Sequence, residues 1–231
     1  MLHLHNGTNL DADVPGADQL DYATAFATRA GVKDTALMQS MRTLLTAALG
    51  QAEPEDVHAI LYSDATIGGT RAIAQVREQL IRERQAKGSA TAEAEVDALL
   101  DAHLFVELHG NAAADLPVGP RYAVWTANQD GFTHNRPLPF LPELGFSGSQ
   151  KDADANAMYL DYDSPFVGGD AHNLAAIGVA AVRETWAANG VDSTQALFEQ
   201  FQSGASIAIP EGIQGDASEL WDPATAYPER K

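Results

Sequence analysis

The chain has 231 residues, 45% of them hydrophobic and 20% charged, enough apolar material for a buried core and outside the composition of disordered chains. Its 14 Lys and Arg stand against 32 Asp and Glu, a formal charge of −18, so the surface repels phosphate backbones and anionic lipid heads, which excludes nucleic acid and bare membrane as expected partners. The absence of cysteine removes disulfides, thiolate nucleophiles, iron–sulfur clusters and Cys-type zinc sites together, leaving His and carboxylate as the metal ligands available.

The opening MLHLHNG lacks a basic segment followed by a long apolar stretch. No run approaches the roughly 18 apolar residues of a membrane span, so the expectation is a soluble product made in the cytoplasm without a signal peptide. The first five residues read as a short strand that runs into NGTNLDADVPG, a loop by its Asn, Gly, Asp and Pro. Residues 17–30 and 34–49 carry helical spacing, the second with Leu37, Met41, Leu44, Leu45 and Leu49 on one side and Gly50 at its close. VHAILYSD (57–64) predicts a buried strand, residues 70–88 an amphipathic helix ended by Gly88, and residues 91–101 a further helix. That helix leads into HLFVELHGN (103–111), the clearest strand of the chain, with His58 and His103 read as strand-start residues. RYAVWTAN (121–128) is a strand after a Pro-Gly loop, and PLPFLPELGF (137–146) is extended, apolar and marked by Pro. An acidic loop, a helix over 171–188 with Asp170 as N-cap, a short helix over 194–202, a strand in SIAIPEG and a Pro-rich end complete the chain. Strands alternating with helices predict an α/β fold, a single domain with a mainly parallel twisted sheet flanked by helices. The expected division is a catalytic unit over residues 1–190 and an extension of unassigned role over 191–231.

In such a sheet, ligands collect at the carboxyl ends of the strands. Three of these strand ends carry His5, His109 and Glu143, each with a glycine within two residues. Two imidazoles and a carboxylate, with glycines that let backbone approach a ligand, suit a zinc site that keeps a position open for water.

AHLFVELHGNAA (102–113) resembles the zinc-binding strand of N-acetylmuramoyl-L-alanine amidases of the amidase-3 type. PFLPELGFSGSQKDAD (139–154) is similar to that family's later segment with Glu before Leu-Gly-Phe, and HNLAAIGVAAVRETWAANG (172–190) to its closing helix. LHNGTNLDADVPGA and GVKDTALMQSMRTLL resemble the loop after its first strand and the entry to the helix that follows its acidic ligand. The resemblance spans residues 1–190 in the family's order and implies metal ligands at His5, Asp34 and His109, a catalytic carboxylate at Glu143, and substrate contacts at Asn111 and His134. It implies a zinc-dependent hydrolase that cuts the amide between N-acetylmuramic acid and L-alanine in peptidoglycan, an endolysin-like activity on the cell wall. Asp34 stands where the family has Glu, and Asp18 or Asp21 suits the family's spacing better.

Two other readings stay open. His3 and His5 with Asp170 and His172 resemble the metal set of phosphoesterases of the polymerase-and-histidinol-phosphatase type. A non-catalytic virion or structural protein on an amidase-like scaffold is the third, and metal content separates it from both enzymes. Asp34 also reads as a plain helix N-cap.

Overall fold

The computed structural model describes residues 2–4, 36–62, 64–109, 116–127, 156–163 and 179–211. In chain order these form β1 (Leu2–Leu4), α1 (Ala36–Leu49), β2 (Val57–Tyr62), α2 (Asp64–Ala86), α3 (Ala92–His103), β3 (Leu104–His109), β4 (Arg121–Ala127), β5 (Asn156–Tyr162), α4 (Val179–Ala188) and α5 (Thr194–Gln202). The strands make one five-stranded sheet in the order β1-β2-β3-β4-β5, every neighbouring pair parallel. The fold is therefore α/β with a parallel sheet, as the alternation of strands and helices predicts. Among the described residues, no helix is long and apolar enough to cross a membrane.

Both sheet faces are covered, which explains why β3 and β4 read as almost unbroken apolar runs. On one face, Ala59, Leu61, Val106, Leu108, Tyr122 and Val124 meet Met38, Met41, Leu45 and Leu49 of α1, Ile73, Val76 and Leu80 of α2, and Val96 and Leu100 of α3. Crossovers repeated in one direction across a parallel sheet lay successive helices on one side, and α1, α2 and α3 share one face. On the other face, Phe105, Trp125, Met158 and Leu160 meet Ala181 and Val182 of α4 and Leu197 and Phe198 of α5. Full burial of each large apolar side chain in these layers stabilises by about 1.5–3 kcal/mol. The segment after residue 190 therefore packs directly on the sheet through α5.

Arg77 joins α2 to α3. Its Nε and Nη2 donate to the two Asp97 carboxylate oxygens at 2.6 and 2.9 Å, and Nη2 also reaches Glu93 at 2.9 Å. A two-pronged pair of this kind fixes orientation as well as distance.

Three elements differ from the sequence expectations. The helix expected from residue 70 begins at Asp64, six residues earlier, and includes Gly68 and Gly69. A Cβ on Gly69 would lie 2.4 Å from Leu61 Cδ1, so Gly69 serves close helix-on-strand packing, a role that propensity alone does not reveal. The stretch expected as an acidic loop contains β5, whose Met158, Leu160 and Tyr162 are buried at alternate positions. The strand expected in SIAIPEG is absent from residues 205–210. There the Asn189 side chain acts as a pairing partner, donating to the Ala208 carbonyl at 2.7 Å and accepting from the Ala208 N–H at 2.9 Å. Asp34, His5, the helix expected over 17–30, the segment 137–146 and Asp170 lie outside the described residues.

Candidate functional site

Because all strands run the same way, their carboxyl ends share one edge, and β3 ends there on His109. Register aligns His109 with Tyr62 of β2 and Trp125 of β4, and aligns Glu107 with Ile60 and Ala123. The period of two along β3 places Phe105, Glu107 and His109 on the face covered by α4 and α5. His109 is 5% exposed and Glu107 4%, so both polar groups need internal partners.

Glu107 is the centre of the network. Its Oε1 lies 2.6 Å from His58 Nε2, and its Oε2 lies 3.3 Å from His109 Nε2. Thr194 of α5 donates from Oγ1 to the same Oε2 at 3.0 Å, and Trp186 of α4 donates from Nε1 to Thr194 Oγ1 at 3.2 Å. One carboxylate thus ties β2, β3 and α5 together and reaches α4 through a single hydroxyl. Burial pushes the Glu107 carboxyl up, but the hydrogen bonds from His109 and His58 outweigh that penalty, and its pKa is lowered to about 2. His58 keeps part of its surface in solvent and packs edge-on against Phe105, with ring centroids 5.1 Å apart.

The His109 ring stacks on the Trp125 indole, centroids 6.1 Å apart and planes within 8°. Its second nitrogen, Nδ1, is buried and has no hydrogen-bond partner among the described residues. Trp125 Nε1 and Thr185 Oγ1, which belong to the same side of the sheet and to α4, are likewise buried without one. Beyond the other face, Thr126 at the end of β4 donates to Asp161 of β5.

An imidazole with one nitrogen on a carboxylate and the other bare has the arrangement that metal-binding histidines adopt, since the carboxylate orients the ring and raises its basicity. His109 therefore fits a zinc ligand, through Nδ1. Among the described residues, no group of three or more His, Asp or Glu side chains is gathered to hold a metal. Of the other residues expected at the site, His5, Asp34, Asn111, His134 and Glu143 lie outside the described residues. β1 ends at Leu4, which pairs with Leu61, itself paired with Leu108, so the described end of β1 stops one row short of His109. The alternative phosphoesterase set is described only at His3, which register places opposite Ile60. No protein-family model matches the sequence, and neither the curated proteins nor the solved structures give a significant match to it.

Sequence reasoning placed His109 at the end of its strand, where the structure has it, and missed the groups bonded around it. The signal for Glu107 was present, a carboxylate in the middle of the apolar run LFVELH, where a charge is retained only if paired. His58 is at the start of β2, as its position predicts, but it serves Glu107 and not only the strand end. His103 closes α3 and is bonded to Asp56 at 2.8 Å, away from this network.

Proposed function

We propose that the chain is a zinc-dependent hydrolase that cleaves the amide bond between N-acetylmuramic acid and L-alanine in peptidoglycan, acting on the cell wall. The observation that carries this reading is His109, which stands at the carboxyl end of a central parallel strand with Nε2 on Glu107 and Nδ1 buried and bare. A strand end of a parallel sheet is where α/β proteins place their chemistry.

In this reading His109 holds the zinc together with His5 and Asp34, the two ligands that the family resemblance supplies. Zinc, when bound, contributes a Lewis acid that polarises the amide carbonyl and makes water a better nucleophile at neutral pH. Glu143 is the general base. Its carboxylate takes the proton of the attacking water as the new C–O bond forms, and returns it to the L-alanine nitrogen as the C–N bond breaks. Asn111 and His134 serve as substrate contacts. The buried apolar layer of Trp125, Met158 and Leu160 under the strand ends keeps the His109 side of the site dry, which strengthens every electrostatic interaction there.

The test is release of new L-alanine amino termini from purified peptidoglycan, with added zinc and with chelator. The wild-type chain is expected to release them only when zinc is present. Glu143→Gln keeps the shape of the side chain and removes the proton acceptor, so cleavage is expected to fall on the order of 10²- to 10⁴-fold. Wild-type protein that releases no amino termini with zinc supplied refutes the proposal.

A further inference from the structure

We infer that Glu107 is the positioning residue that holds His109 as its Nε2–H tautomer and leaves Nδ1 as a bare electron-pair donor. The proposed zinc chemistry bears only on what Nδ1 takes up; the tautomer follows from the network itself.

Three groups converge on the two oxygens of Glu107: His58 Nε2, His109 Nε2 and Thr194 Oγ1. An ionised carboxylate accepts hydrogen bonds and donates none, so each of the three must present a proton to it. The direction of the Thr194 hydroxyl is fixed independently. Trp186 Nε1 is a donor only, and it points at Thr194 Oγ1, so the hydroxyl lone pair faces the indole and its proton faces Glu107. The chain from Trp186 through Thr194 to Glu107 therefore has one polarity, and both imidazoles carry their protons on Nε2.

For His109 the consequence is specific. With the proton on Nε2, the neutral ring has its lone pair on Nδ1, the nitrogen that is buried and without a partner among the described residues. Turning the ring over about Cβ–Cγ would exchange Nε2 with Cε1 and Nδ1 with Cδ2, and so carry Nε2 away from Glu107. The tautomer is thus set from three directions: β2 through His58, α5 through Thr194, and α4 through Trp186. Residues after 190 belong to the site in this sense, because Thr194 supplies one of the contacts that aim the carboxylate. The ligand class for Nδ1 is a borderline-soft divalent cation such as zinc, which imidazole nitrogen suits.

The experiment is a long-range proton–nitrogen correlation spectrum of the histidine rings in uniformly ¹⁵N-labelled, metal-free protein. His109 is assigned by the signals missing from His109→Gln. The expected pattern is a protonated Nε2 and an unprotonated Nδ1. In Glu107→Gln the amide offers one oxygen and one NH₂ group in place of two acceptors, so the single-tautomer pattern is expected to be lost from the two rings. Zinc affinity, measured by competition with a chromophoric chelator, is expected to fall about 10- to 100-fold. Thr194→Val is expected to show the same changes on a smaller scale, and Thr194→Ser to restore the wild-type spectrum. An Nδ1–H pattern in the wild type overturns the inference, and this spectrum decides even if Glu107→Gln fails to fold. Unchanged tautomer and unchanged affinity in a folded Glu107→Gln also overturn it. A wild-type Nε2–H pattern that Glu107→Gln abolishes, in a chain that retains no zinc, upholds the positioning role and refutes the zinc reading instead. Zinc retained by a chain whose His109 carries Nδ1–H does the reverse.

Discussion

On the face covered by α1, α2 and α3, the strands present Ala59, Leu61, Val106, Leu108 and Val124; on the face covered by α4 and α5, the same strands present His58, Glu107 and His109 beside Phe105, Trp125 and Met158. Among the described residues, the first face buries no imidazole or carboxylate from its strands, and its contacts are those of helices packed on a parallel sheet. The second buries a carboxylate and one imidazole with a second, half-buried imidazole beside them, at a desolvation cost that the hydrogen bonds from the two histidines help to offset. A sheet that needed only to be stable would be apolar on both sides, since replacing a buried polar cluster by well-packed hydrophobic residues is often neutral or stabilising. The difference separates a face whose strands pack through apolar side chains from one that also holds a buried carboxylate network.

The comparison can be broken most forcefully on the apolar face. Leu61 is fully buried between β2 and α2, and Leu61→Ala is expected to lower the unfolding free energy by about 2–5 kcal/mol, read from urea denaturation. The zinc stoichiometry of the folded fraction should not change. A variant that loses metal in proportion to stability would show that the two faces are not separable.

The next effect belongs to the polar face and depends on pH. The Glu107 carboxyl is lowered from 4.5 in the unfolded chain to about 2 in the fold, so its contribution to stability is fully present above about pH 4.5 and is lost as pH falls toward 2. Urea midpoints followed from pH 6 to pH 2 should fall more steeply for the wild type than for Glu107→Gln. Parallel curves would mean that Glu107 is not held as an ion by its partners.

A smaller effect sharpens the packing half of the comparison. Gly69→Ala puts a methyl group against Leu61, and although alanine favours the helix by about 1 kcal/mol, the overlap should leave a net loss of about 1–3 kcal/mol. Combined with Leu61→Ala, which opens that space, the loss from Gly69→Ala should shrink or reverse. Strict additivity would contradict the contact.

What the sequence made legible follows the range of the interactions. β3 stood out because six consecutive buried residues need no distant information, and His109 stood out because it ends that strand before Gly110. β5 did not, because Asp161 within it and Asp163 after it extend the acidic stretch that precedes it, which reads as loop. The first turns of α2 were hidden by Gly68 and Gly69, the second of which has a role that depends on how near Leu61 passes. The network was the least legible part. Thr194 lies 87 residues from Glu107, and His58 lies 49 residues from it, so no local pattern connects them. Only the parallel register, which sets β2 beside β3, and the docking of α5 bring them to one carboxylate.

The central claim is that His109 Nδ1 is a zinc ligand, and metal content after equilibrium dialysis against buffered zinc tests it most directly. The account predicts one zinc per wild-type chain and none retained by His109→Ala, with circular dichroism showing that the variant keeps its fold, because removing a ligand destroys the site rather than weakening a contact. Equal zinc in the two proteins, or none in the wild type, would contradict it.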